Sequence, residues 1–183
     1  MDSKSYDVVV IGGGIIGLST AMQIKLEKYP DWRVAVVEKD SEIATHQTGH
    51  NSGVIHSGIY YRPDSQKAQF CVGGAKSLRQ FCDENEIEYN QCGKVIVANN
   101  DAEVARLQTL HERGIANGVE GLEMVGPERL KELEPHVAGI QALWAPTTGI
   151  VDYRKVAAAY AEKFQQAGGD IFTNARSEEH TSE

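Results

Sequence analysis

The stretch DVVVIGGGIIG, Asp7 to Gly17, decides the fold. Val8 to Ile11 is an apolar, β-branched run of strand length, and the glycines behind it open a helical pattern. In the spacing GxGxxG each glycine has its own task. Gly12 permits a tight turn, Gly14 lets the backbone approach a pyrophosphate, and Gly17 lets the helix pack closely on the strand, while the amides at the helix start face the anion. The helix is expected to run to about Lys28, where Tyr29-Pro30-Asp31 breaks it. Arg33 to Glu38, RVAVVE, reads as a second buried strand ending in an acid. Glu38 follows Gly17 by about twenty residues, where a carboxylate accepts hydrogen bonds from the ribose hydroxyls of an adenosine and repels the extra phosphate of NADP. Together these features specify a dinucleotide-binding βαβ unit. They leave FAD and NAD both open.

Beyond Glu38 comes HQTGHNSGVIHSGIYY, His46 to Tyr61, which matches neither a core strand nor a core helix and reads as an active-site loop. It stands where a plain Rossmann domain would place its next simple element. Thr48, Asn51 and Ser52 can donate or accept hydrogen bonds, and Gly49 and Gly53 allow close backbone approach. His46, His50 and His56 are spaced by four and six, but no Cys, Asp or Glu joins them closely, so no metal site is expected.

Farther along, apolar residues at three-and-four spacing predict a helix from Ser65 to about Glu86, weakened at Gly73-Gly74. Lys94 to Ala98 reads as a strand, Asp101 to about Asn117 as a helix capped by Asn100 or Asp101, and Gly126-Pro127 as the start of a short helix. Ile140 to Ala145 is expected to be a strand. Tyr153 to about Ala167 is expected to be a helix closed by Gly168-Gly169, and Asp170 to Asn174 a strand that rejoins the nucleotide-binding sheet. The expected fold class is α/β. A Rossmann-like dinucleotide-binding domain is combined with part of an α+β substrate-facing domain, the whole being truncated.

The glycine motif, VVEKD (36–40), the loop HQTGHNSGVIHSGIYYRPDSQKAQFC (46–71), QCGKVIVA (91–98) and TTGIVDYR (147–154) resemble the FAD-dependent oxidoreductases of the D-amino-acid oxidase superfamily. Within it they most resemble the branch that oxidises L-2-hydroxyglutarate. The resemblance runs from about Tyr6 to Asn174. It implies FAD as cofactor, with contacts from Gly12, Gly14, Gly17, Glu38, Thr48, Gly49, Asn51 and Ser52. It also implies conversion of (S)-2-hydroxyglutarate, a small dicarboxylate, to 2-oxoglutarate, with electrons passed to quinone or oxygen. Such a reaction needs a base near neutral pH, which a histidine supplies. His56 is the first candidate and His50 the second, although either could serve only to hydrogen-bond the flavin, with the base elsewhere in the parent. Arg62, Tyr61, Tyr153 and Arg154 are the candidates to hold the substrate carboxylates, while Arg154 could instead pair with Asp152. Other readings are a glycine, sarcosine or glycerol-3-phosphate oxidoreductase of the same superfamily, a NAD-linked dehydrogenase, and a non-catalytic nucleotide-binding module.

Members of the superfamily have roughly twice this length, so the 183 residues are expected to be an N-terminal part, inactive alone. The expected layout is FAD-binding over 1–90, partial substrate domain over 91–151, return to the FAD-binding domain over 152–175, and a tail over 176–183. That tail, RSEEHTSE, resembles no part of the superfamily and reads as a translated sequencing adapter. The net charge of −8 disfavours nucleic acid, which requires a basic face, but leaves room for an acidic substrate in a locally positive pocket. Three cysteines without a CxxC disfavour a disulfide framework. No apolar run approaches the ~20 residues of a membrane span, which leaves peripheral membrane contact open. With no leader-like start, a bacterial cytoplasmic protein is expected, or a mitochondrial one if a eukaryotic 5′ end is missing.

Overall fold

The computed structural model describes residues 5–177. Their contacts divide the chain into two compact units, one formed by residues up to Ser52 together with those from Asp152 onward, the other by Gly53–Val151.

The first unit is built on a three-stranded parallel sheet in the order β1 (Val8–Ile11), β2 (Val34–Val37), β9 (Asp170–Phe172). Val8 is in register with Val34, and Val36 with Ile171. The β2 strand is central, and Val34, Ala35 and Val36 are buried, as expected for a strand covered on both faces. At the edge, β1 leaves Val9 and Ile11 exposed. Helix α1 (Ile15–Gln23) packs chiefly against α5 (Tyr153–Gln166). Leu18, Ala21, Val156, Ala157 and Phe164 are buried, and complete burial of a Leu, Val or Phe side chain is worth about 1.5–3 kcal/mol. Regular α-helix ends at Gln23 rather than Lys28. It widens into a π-helical turn over Ile24–Lys28, closed by Tyr29 stacking on Trp32 at 3.8 Å.

In the second unit, β5 (Lys94–Ala98) and β6 (Glu123–Val125) flank β7 (Gln141–Ala145) in an antiparallel sheet. Period-two alternation sends Ile96 and Ala98 toward a cluster containing Leu107 of α3 (Asp101–Ala116), and Val95 and Val97 toward a cluster containing Leu130 of α4 (Pro127–Leu133). Asn100 caps α3 by accepting from the Glu103 amide, and Pro127 opens α4. A smaller sheet joins β3 (Val54–Ile55), β8 (Gly149–Val151) and β4 (Tyr89–Asn90), three short strands that the sequence pattern did not predict. Helix α2 (Gln66–Glu84) is capped by Ser65, whose Oγ accepts from the Ala68 amide.

The sequence reading drew its first boundary near residue 90, whereas contacts draw it between Ser52 and Gly53. The reason is β3, which pairs with β8 inside the second unit. Of the expected adapter-like tail, 178–183 lie outside the described residues. Among the described residues no helix is long and apolar enough to cross a membrane.

Candidate functional site

At the end of β1 the backbone turns through Gly12, whose φ of +106° is rarely adopted by residues with a Cβ. A methyl group at Gly17 would lie 2.0 Å from the Gly12 carbonyl oxygen, so helix and turn meet at a distance only glycine allows. Gly14 differs. Its Cβ would meet nothing closer than Thr48 Oγ1 at 3.4 Å, so nothing among the described residues demands a glycine there. The free side of Gly14 opens on a cavity of about 560 Å³, lined by Gly12, Gly14, Gly17, Thr48, Asn51 and Tyr153 among others.

Two amides expected to face an anion are already engaged. The Ile15 amide donates to Thr48 Oγ1 at 3.0 Å, and the Gly13 amide donates to Glu38 Oε2 at 2.8 Å. Thr48 thus holds the 46–52 loop on the start of α1, while its hydroxyl proton remains available as a donor. The amides of Gly14 and Ile16 have no acceptor among the described residues. Glu38 is buried at 7% exposure, and its other oxygen accepts from the Asp40 amide at 3.0 Å. Two backbone donors offset the cost of burying this carboxylate, and each oxygen keeps a lone pair for a further donor. Glu38, Gly12, His46 and Ala175 border a second cavity of about 210 Å³, which shares Ile11 and Gly12 with the first. The donor pattern therefore fits an adenosine pyrophosphate. The open glycine and unpartnered amides lie on the glycine loop, and the carboxylate acceptor stands beside it at the end of β2.

His46 is occupied structurally, its Nε2 lying 2.6 Å from Asp40 Oδ2. Lys39 Nζ also comes within 2.8 Å of Nε2 and reaches the same carboxylate at 3.1 Å. One ring nitrogen cannot donate to Asp40 and accept from Lys39 together, and the carboxylate is the stronger claim. Lys39 first, then His46, holds the Asp40 carboxyl below its ordinary range. His50 is exposed, with Nδ1 3.0 Å from the His46 carbonyl oxygen. Asn51 Nδ2 donates to the carbonyls of Gln47 and Thr48, which stiffens the loop from within, and Ser52 is exposed. A methyl at Gly49 would lie 2.6 Å from both the Ala44 carbonyl oxygen and Arg154 Nε, so the Arg154 guanidinium lies against this glycine. The expected Arg154–Asp152 pairing takes another form, with Asp152 Oδ1 accepting from the Arg154 backbone amide as the cap of α5. Of the two residues read from sequence as substrate clamps, Tyr153 lines the glycine-loop cavity and Arg154 lies against the 46–52 loop.

The second unit holds a separate pocket of about 100 Å³, lined by His56, Ser57, Tyr60, Tyr61, Lys94 and Thr148 among others. His56 and Tyr61 are brought together here, while Arg62 is exposed and outside the lining. Four hydrogen bonds between residues far apart in sequence build the walls. Thr148 Oγ1 donates to Ser57 Oγ at 3.3 Å, both side chains being buried. Asn117 Nδ2 donates to the carbonyls of Gly58 and Tyr61, each at 3.0 Å. The Gly93 amide donates to the Thr148 carbonyl at 2.9 Å. None of Asn117, Thr148, Ser57 or Lys94 was found from the sequence; for Lys94 a signal existed, a cation on a face that alternation assigns to the core. Among the described residues no group of three or more His, Cys, Asp or Glu is placed to hold a metal.

Over 172 residues the chain is 51% identical to the mitochondrial L-2-hydroxyglutarate dehydrogenase of Pongo abelii, covering 94% of this chain and 41% of the relative. Over 170 residues it is 53% identical to the L-2-hydroxyglutarate dehydrogenase of Escherichia coli K12, covering 93% and 40%. Among solved structures, the L-alpha-glycerophosphate oxidase of Mycoplasma pneumoniae with FAD bound matches with a TM-score of 0.84 at 30% identity, over 93% of this chain and 45% of that one. The chain thus spans about two-fifths of the length of these curated relatives. Residues 7–182, from the β1 strand through both units, match the family described as FAD dependent oxidoreductase, and the chain belongs to that family.

Proposed function

We propose that this chain is the amino-terminal part of an FAD-dependent dehydrogenase or oxidase that converts (S)-2-hydroxyglutarate to 2-oxoglutarate. The observation that carries the proposal is the glycine-loop cavity, where Gly14 is open, the Gly14 and Ile16 amides have no acceptor among the described residues, and the Glu38 carboxylate is fixed against the Gly13 amide. The substrate rests on the likeness to L-2-hydroxyglutarate dehydrogenases.

FAD, when bound, supplies the two-electron acceptor for the hydrogen at the substrate's C2, and a quinone or oxygen then takes the electrons. The residues of this chain bind and position. The Gly14 and Ile16 amides at the start of α1 receive the pyrophosphate, favoured by the helix dipole. Glu38 accepts from the adenosine ribose, Thr48 and Asn51 keep the 46–52 loop against the glycines, and Arg154 adds positive charge beside Gly49. His56 takes the hydroxyl proton on a ring nitrogen, and Tyr61 lines the same pocket. His50, with Nδ1 engaged by a backbone carbonyl, supports the loop.

The test is anaerobic mixing of the complete enzyme carrying this segment with (S)-2-hydroxyglutarate, glycine, sarcosine and glycerol 3-phosphate, while following the flavin absorbance band. Bleaching by (S)-2-hydroxyglutarate alone is expected. Bleaching by an amine or by glycerol 3-phosphate instead would move the protein to another branch of the family, and absence of any flavin band would overturn the cofactor. The 183-residue chain alone is expected to show no turnover.

A further inference from the structure

Lys94 brings a charge to an apolar face of β5. Alternation along β5 puts it on the same face as Ile96, which packs against the buried cluster of Ile59, Val119 and Ala145, and Lys94 is itself in register with Ala145. An aliphatic side chain would suit that face. Instead a lysine stands there, its stem partly buried and its ammonium at an exposed contact 2.9 Å from the Tyr60 hydroxyl and 4.8 Å from the centre of its ring. No carboxylate among the described residues lies within ion-pair distance of Lys94, although the protein carries a net charge of −8. A cation at the mouth of a pocket with no carboxylate partner gives that pocket a locally positive field, which draws an anion.

The surroundings are built to hold it still. Gly93, at φ +72°, is seated against Trp144, where a methyl group would lie 1.8 Å from the ring, and its amide is bonded to Thr148. On the opposite wall, Asn117 fixes the carbonyls on either side of Ile59 and Tyr60. Lys94 donates to the Tyr60 oxygen, which leaves two ammonium protons and the phenol proton as donors at the lining of the His56 pocket. A volume of about 100 Å³ admits a carboxylate with the carbons that carry it, and no larger anion such as a nucleotide.

We propose that Lys94 and Tyr60 form a carboxylate-binding pair in the His56 pocket and select a dicarboxylic over a monocarboxylic hydroxy acid. The inference rests on the function proposed above but concerns a site that binds without the redox step. Lysine acts here as a compact point charge, so the site tolerates several orientations of the carboxylate.

The experiment uses the complete flavin-loaded enzyme and glutarate, a dicarboxylate that lacks the reacting hydroxyl, with binding followed by calorimetry. Lys94→Met keeps the apolar stem, so packing on Ile96 is retained while the charge is lost. Its glutarate affinity is expected to fall by about tenfold or more, Lys94→Arg to retain most of the affinity, and Tyr60→Phe, which keeps the ring, to show an intermediate loss. Unchanged affinity in Lys94→Met and Tyr60→Phe would make the pair a structural cation–π contact and overturn the proposal, as would a wild-type enzyme that does not bind glutarate. The flavin band is read in the same samples with (S)-2-hydroxyglutarate. Lys94-dependent glutarate binding without bleaching would sink the proposed reaction and leave the site standing; bleaching with Lys94-independent binding would do the reverse.

Discussion

The glycine turn of the first unit and the His56 pocket of the second are made in opposite ways. At the turn, Gly12, Gly14 and Gly17 lie within six residues, and Gly17 touches the Gly12 carbonyl region directly. The pocket draws its walls from Ser57 and Thr148, from Asn117 and Tyr61, and from Lys94 and Tyr60, pairs separated by 91, 56 and 34 residues. A site of the first kind forms wherever its short segment occurs in the right strand-to-helix context. A site of the second kind exists only once the whole unit has closed. The first should therefore break through local sterics, the second through loss of distant hydrogen bonds.

Substitutions can sharpen that contrast. Gly17→Ala puts a methyl 2.0 Å from a backbone oxygen, and a loss of about 3 kcal/mol in urea unfolding is expected. Gly14→Ala, with only Thr48 Oγ1 at 3.4 Å, should cost under about 1 kcal/mol and act on FAD affinity instead. Equal destabilisation by the two would erase the distinction between a packing glycine and a binding glycine. In the second unit, Asn117→Ala strips one donor from both Gly58 and Tyr61 and should cost about 2 kcal/mol, with FAD affinity unchanged. An altered FAD affinity there would contradict the separation of tasks.

Smaller effects lie away from both sites. Gly73 sits in the middle of α2, and a methyl group added there would meet nothing within 4 Å, so Gly73→Ala should raise stability by about 1 kcal/mol, read as a higher urea midpoint. Asp40 is held below its ordinary carboxylate range by Lys39 and His46, and therefore contributes stability at and above about pH 4 that is lost as pH falls through the lowered value. Its exposed setting keeps the effect small. Unfolding curves of wild type and Asp40→Asn should differ slightly at pH 7 and converge as pH falls below the ordinary carboxylate range; a gap that widens toward acid would show that the pairing has been assigned the wrong sign.

What could be read in advance follows the same divide. The βαβ core, the start of α2 near Ser65, the cap at Asn100, and the return of Asp170–Phe172 to β2 all come from local patterns that fold as they are written. Strands β3, β4 and β8 could not be read, because two or three residues carry no alternation and pair only through tertiary context. In the loop, residue types announced chemistry but not partners. Thr48 spends an acceptor on Ile15, Glu38 turns first to Gly13, and Arg154 reaches Gly49 rather than Asp152. These are choices among neighbours brought close by the fold. Only Lys94, a charge out of phase on a core-facing strand, carried a legible sign that went unread.

The central claim is that the first unit holds the cofactor while His56 of the second takes the substrate proton. Stopped-flow reduction of the complete flavin enzyme by (S)-2-hydroxyglutarate, compared between wild type and His56→Gln, tests it most directly. The account predicts an undiminished bound flavin band in the variant and reduction slowed by about 10²–10⁴-fold. A variant that reduces its flavin as fast as wild type would contradict it.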